Sequence, residues 1–336
     1  MNTTVAAAIL LALLLGPLIL APLEHNLEPY CFALGLLAVT VTGQWGWQLL
    51  GQAVRDPLPI TITVMAAGLL FGLLRHTLDS GFTRMRQLMP RPTLTAFAVV
   101  VIGLVSSLIT AIIAALILVE GVGLMGLGPA QRTRVVVLGC FAIGLGSALT
   151  PIGGPLATLA AAAMNLSFGG LFGLLAPWVL PGIAAIGVLT AYLTRGDYDL
   201  IGAGDAIVER PLDALLQGVR IFAFISGLIL IGTACSPIAS RYLGTLSNGA
   251  LYWANIVSAA LDNSTLVAIE FHRIEPARAR IALISLLVSG GMLIPGNVPN
   301  IVCAGKLRMS TGEWSRVGVP LGLVMLSIYF GFLWLL

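Results

Sequence analysis

The chain has 336 residues, of which 58% are hydrophobic and only 9% charged, with a formal net charge of +3. Soluble domains carry about 25% charged residues, so this composition excludes an ordinary soluble enzyme. It points to an all-α polytopic membrane protein, because the apolar runs are longer than the ~10-residue alternating strands of a transmembrane barrel.

The basic residues are dispersed in short loops, which fits orientation in a bilayer and not nucleic-acid binding. The opening run Val5–Ala21 lacks a basic leader and is followed by Pro22, so it reads as a retained span. Further spans are expected near 30–50 and 58–75, and the polar loop after them holds Arg75, Arg84, Arg86 and Arg91. Next come 93–119, 132–165 and 168–194, then a polar linker at 195–217. The runs 218–236, 246–271, 279–309 and 317–336 complete the chain.

Two halves echo one another. SSLITAIIAALILVE closes on Glu120, and SAALDNSTLVAIE closes on Glu270. Each is followed by an R-x-R pair, Arg132/Arg134 or Arg278/Arg280, and then by a Pro/Gly-broken helix. This predicts accessory spans over 1–57 and a first repeat over 58–195, with a hairpin at 93–120 and a broken helix at 132–165. A cytoplasmic linker at 196–215 leads to a second repeat over 216–336, with a hairpin at 246–271 and a broken helix at 279–309. Matched interrupted helices are a sequence pointer to a transporter's binding site.

The charge bias decides between hairpins and full spans. With two re-entrant hairpins, twelve of the seventeen basic residues share one face and five the other; with two ordinary spans the division is eight and nine. The positive-inside rule therefore favours an inverted repeat with two hairpins and about eight crossings.

Asp262 is the one acid expected deep in hydrocarbon, where it costs roughly 2.5–3.5 kcal/mol on insertion scales. Asn263, Ser264 and Thr265 beside it offer neutral oxygens, as do Ser106, Ser107 and Thr110 at the first tip. Thr150, Gly153 and Gly154 break the first helix, and Asn297 and Asn300 lie in the break of the second. Pairing each tip with its own broken helix gives a neutral site and a charged one. Asp262, Asn263 and Asn297 are the candidate ligands of a monovalent cation. The structural alternatives are proline kinks, small residues for close packing, hydroxyls bonded back to carbonyls, and a buried hydrogen bond for Asp262. Glu120 and Glu270 read as interfacial caps or partners of the R-x-R pairs. The tryptophans 45, 47, 178, 253, 314 and 334 read mostly as interface anchors, and Asp56 as a helix start.

Cys31, Cys140, Cys235 and Cys303 lie singly in apolar segments, with no metal-ligand spacing. Walker A and dinucleotide glycine fingerprints are absent, as are HExxH and a Ser-His-Asp set, so no enzyme activity and no organic cofactor are expected. A membrane enzyme or a non-transporting subunit is the remaining alternative class.

At these residues the chain resembles the ion transporter superfamily, which includes arsenite permeases, NhaD-type sodium–proton antiporters and divalent-anion/sodium symporters. TPIGGPLATLA at Thr150–Ala160, LDNSTLVAI at Leu261–Ile269 and GNVPNIVCAG at Gly296–Gly305 carry the likeness. Length and the GNVPN stretch look closest to a prokaryotic family labelled as cation transporters. The symporters' paired Ser-Asn-Thr signatures are missing, and the first tip has no Asn or Asp. The resemblance implies a secondary transporter in the prokaryotic inner membrane, with Na⁺ as coupling or transported ion. Its partners would be the lipid bilayer and a small ion or solute, and it allows a homodimer. Na⁺/H⁺ exchange is the leading expectation, and cation-coupled carriage of a small oxyanion or carboxylate the second. Without a buried Arg or Lys expected, a strongly charged anion is disfavoured.

Overall fold

The computed structural model describes residues 27–59, 88–195, 211–243, 245–259 and 275–335, with short pieces at 8–9, 11–12, 16, 61–62 and 65–66. Among the described residues all regular structure is helical. The first half contains α1 (Leu27–Thr42), α2 (Trp47–Arg55), α3 (Arg91–Ile109), α4 (Ala111–Leu124), α5 (Pro129–Ser147), α6 (Pro155–Ala163) and α7 (Phe168–Leu193). The second contains α8 (Pro211–Leu243), α9 (Asn248–Ala254), α10 (Pro276–Ser289), α11 (Val298–Leu307) and α12 (Thr311–Leu335). Short 3-10 turns cover Asn255–Ala259 and Ile294–Gly296.

Among the described residues, four stretches are long and apolar enough to cross a bilayer: Arg91–Ile109, Phe168–Leu193, Gly218–Ser236 and Thr311–Leu335. They make this a multi-pass membrane protein.

Helix starts follow local chemistry. Proline occupies the first turn of α3, α5, α6, α10 and α11, where its missing N–H leaves no bond unmade. Ser167 and Ser247 accept from Gly170 N and Ala250 N at 3.2 and 3.3 Å. Ser310 and Glu313 form a reciprocal capping box at 3.1 and 2.9 Å before α12.

Two interruptions fall within the stretches expected as broken helices. α5 and α6 are parted by residues 148–154, and α10 and α11 by residues 290–297. The expected hairpin at 93–120 is two helices that join at Thr110, a non-glycine residue at φ 76°. Laid end to end, α3 and α4 would reach about 50 Å at 1.5 Å per residue, well beyond a ~30 Å hydrocarbon core. They pack against each other and both against α5. The expected span at 30–50 is instead split at Gly43, φ 66°, into α1 and α2. Asp56 is the C-cap of α2, its N–H donating to Gln52 O, and helix resumes at Pro57, so it also stands where a helix start was expected.

α5 sits at the centre. Every residue from Val135 to Ser147 is buried, as for a helix surrounded on all sides. Its neighbours are α3, α4, α7, α10, α11 and α12. The approach to α3 is so close that a Cβ on Gly146 would overlap Gly103 O. Small residues allow such contact where lipid supplies no hydrophobic drive for helix association. A Cβ on Gly123 of α4 meets nothing within 4 Å. Gly146→Ala should therefore destabilise the purified protein by on the order of 1–3 kcal/mol. Gly123→Ala, also within a helix, should be neutral or slightly stabilising. The paired Tm values check this.

Candidate functional site

The site is built where the two helix breaks meet. In the first half, the contacts between α3 and α5 advance in step. Gly103 faces Ala142 and Gly146, the Ser106 hydroxyl reaches Ile143 O at 3.2 Å, and Thr150 donates its hydroxyl to Ser107 O. At the tip, Ala111 N donates to Gly153 O at 2.8 Å. The first tip and the first break are thus pinned together.

In the second half, residues 248–259 run beside α10. The Arg278 guanidinium donates to Asn248 Oδ1 at 3.2 Å at one end. Midway, Asn255 Nδ2 donates to Ser285 Oγ at 2.9 Å, and the Ser289 hydroxyl donates to Asn255 O at 2.8 Å. Ala259 O and Gly290 O press on Gly296 inside the second break. Asp262, Asn263, Ser264 and Thr265 lie outside the described residues, as do Glu270 and His272.

The two breaks differ in how their polar groups are paired. Around the first, hydroxyls bond back to carbonyls: Ser106 to Gly103 O at 2.6 Å and Ser107 to Leu104 O at 2.7 Å. Thr158 serves Pro151 O and Gly154 O at 2.6 and 3.1 Å. Gly153 N donates to Thr150 O at 3.1 Å, and a Cβ on Gly153 would overlap Ser147 O. Glycine is therefore needed at 153 for a tight turn, whereas Gly154 adjoins open space. Packing and local bonding account for Ser106, Ser107 and Thr150.

At the second break, Asn300 is fully buried and its Nδ2 donates to Gly290 O and Leu293 O, both at 2.8 Å. Two carbonyl acceptors fix the amide's orientation, since only the NH₂ end can donate. That leaves Asn300 Oδ1 buried with no partner. A buried unmade acceptor costs about 1–3 kcal/mol and calls for an explanation. Asn297 is half-buried at the start of α11, without a side-chain cap bond. Its Nδ2 lies 2.9 Å from where a Cβ on Gly144 of α5 would stand. The second break therefore touches the first helix directly, and Gly291 against Phe141 adds a further contact.

Asn300 and Asn297 are brought to one break, and Ser106, Ser107, Thr110, Thr150 and Gly153 to the other. Among the described residues no group of three or more His, Cys, Asp or Glu could hold a metal. A cation at the second break would be met there by neutral oxygens.

Three features differ from the sequence expectations. Lys306, near the end of the expected broken helix 279–309, is in the last turn of α11 and 5% exposed, with Nζ 3.7 Å from Glu120 Oε1 of α4. Glu120 thus pairs with Lys306, and the expectation that no Lys is buried is corrected. Trp314 is no interface anchor: it is fully buried and donates Nε1–H to Gly291 O at 3.1 Å. Cys140 and Cys303, single in the sequence, meet where α5 crosses α11, and their thiols reach Pro299 O and Ala115 O at 3.6 Å each. The network of Asn255, Ser285 and Ser289 was missed, although serines at i and i+4 in an apolar helix share one face and signal it.

Asn300→Ala should strand Gly290 O and Leu293 O and lower stability by on the order of 1–3 kcal/mol per carbonyl, read as a fall in Tm. In the ion pair, Glu120→Gln should cost more than Lys306→Met, because the lysine side chain is 2% exposed and the glutamate 36%. Thermal unfolding of the two variants checks the order.

No curated protein matches the sequence. Residues 3–336 match the family described as "Protein of unknown function (DUF1646)", and the chain belongs to that family.

Proposed function

We propose that this chain is a secondary active transporter that exchanges a cation, Na⁺, for H⁺ across the prokaryotic inner membrane by alternating access. The observation that carries the reading is Asn300 Oδ1, a buried acceptor left unpaired at a helix break. Unwound backbone and half-helix ends at mid-membrane are where transporters hold cations. Asp262 follows Ala259 by three positions, and Ala259 O presses on Gly296 of that same break. In this reading Asp262 alternates between proton and cation, and Asn263, Thr265, Asn297 and Asn300 complete the shell. Ser264 lies within the same tip.

The inverted repeat belongs to this reading and has support on both sides. α3 and α4 are too long together for one crossing, and they pack on each other. The Glu120–Lys306 pair sets the end of α4 level with the end of α11. This supports the reading in which the first hairpin returns to its own side. In the second half, 248–259 runs beside α10 from Arg278 to the break. The resemblance to the ion transporter superfamily adds to this through the motifs alone.

Buried Lys306 favours a second reading, cation-coupled carriage of a small anion, more than the sequence did. Its pairing with Glu120 keeps that reading second.

In proteoliposomes, an inward Na⁺ gradient should drive proton efflux, and Asp262→Asn should abolish it while the protein still folds. Transport by Asp262→Asn with unchanged pH dependence would remove Asp262 from the mechanism. Stabilisation by an oxyanion or a carboxylate, and not by Na⁺, would favour the second reading.

A further inference from the structure

α7 and α12 leave between them a groove of about 440 Å³. Its walls are almost wholly apolar and include Pro177, Pro181, Leu189, Leu321, Val324 and Phe332. The Tyr329 hydroxyl donates to Trp178 O at 2.8 Å. This bond lies near the start of the α7 stretch and near the end of the α12 stretch, so the two walls overlap only with the helices antiparallel. The walls run from Pro177 to Leu189 and from Leu321 to Phe332, about 18–20 Å at 1.5 Å per residue, more than half of a ~30 Å hydrocarbon core.

One end of the groove is polar. The Arg280 guanidinium carbon stands 5.4 Å from the centre of the Trp178 ring, which itself lines the groove. Arg280 Nε is buried and has no hydrogen-bond partner among the described residues. Arg280 is in the first turns of α10, in a charged stretch with Glu275 and Arg278 of the kind that sits at a membrane–water boundary. A tryptophan at that depth with an arginine beside it is suited to a phosphate headgroup, whose oxygens match the guanidinium fork.

We propose that the groove holds one acyl chain of an anionic phospholipid, with its phosphate at Arg280. A second copy of the chain fits less well. Glu313, in the first turn of α12, lies at the far end from Phe332, and α7 carries no acid, so these helices would bring no anion to Arg280. The proposal does not rest on the transport reading.

The test uses the full-length protein in neutral detergent, with thermal unfolding and native mass spectrometry as readouts. Dioleoyl-phosphatidylglycerol should raise Tm by several degrees more than dioleoyl-phosphatidylcholine, and one retained lipid should be seen by mass. Arg280→Gln should erase the difference between the two lipids, and Arg280→Lys should keep part of it. Val324→Trp, which fills the groove, should weaken the effect of both lipids. Equal stabilisation of the wild type by the two lipids would overturn the proposal, as would a glycerol-headgroup preference that survives Arg280→Gln. So would a wild-type dimer that Val324→Trp converts to monomer without altering lipid retention.

Discussion

In hydrocarbon a peptide carbonyl without a donor costs several kcal/mol, and a helix that stops at mid-membrane leaves such carbonyls behind. Both breaks in this protein pair freed carbonyls with nearby donors. Around the first, serine and threonine hydroxyls and the Ala111 and Gly153 amides donate to carbonyls at the tip and the break. At the second, one carboxamide does most of this, since Asn300 alone donates to two carbonyls across the gap. Its oxygen is then left without a hydrogen-bond partner among the described residues. The same side chain that holds the break together thereby creates a position suited to a cation.

Close packing brings the breaks into contact. Gly103, Gly144, Gly146 and Gly291 each remove a side chain where another helix crosses. At Gly144 the neighbour is the Asn297 amide, so the first helix helps to wall the second break. The Glu120–Lys306 pair then ties the outer end of α4 to that of α11. A shift at either break would be felt through these contacts in the opposite half.

Much of this was legible in the sequence. The runs TPIGGP and PGNVPN located both breaks, because proline and glycine remove donors and side chains in ways that few other residues do. The tie between Thr150 and the first tip followed from pairing each tip with its own broken helix. The partners of Lys306 and Trp314 were not legible. Trp314 was read from its distance to a span end, and distance along the chain does not say which side of a helix faces another. Cys140 and Cys303 are far apart in sequence and meet only because α5 crosses α11. Thr110 looked like a ligand hydroxyl, yet its role in the fold is the left-handed junction between α3 and α4.

The central claim is that the second break binds a cation in competition with a proton. Calorimetric titration of Na⁺ into the purified protein, repeated in buffers of different ionisation enthalpy, measures both quantities together. The account predicts saturable Na⁺ binding that releases about one proton per ion at acidic pH and fewer as pH rises. Na⁺ binding with no proton release at any pH, or no binding at all, would contradict it.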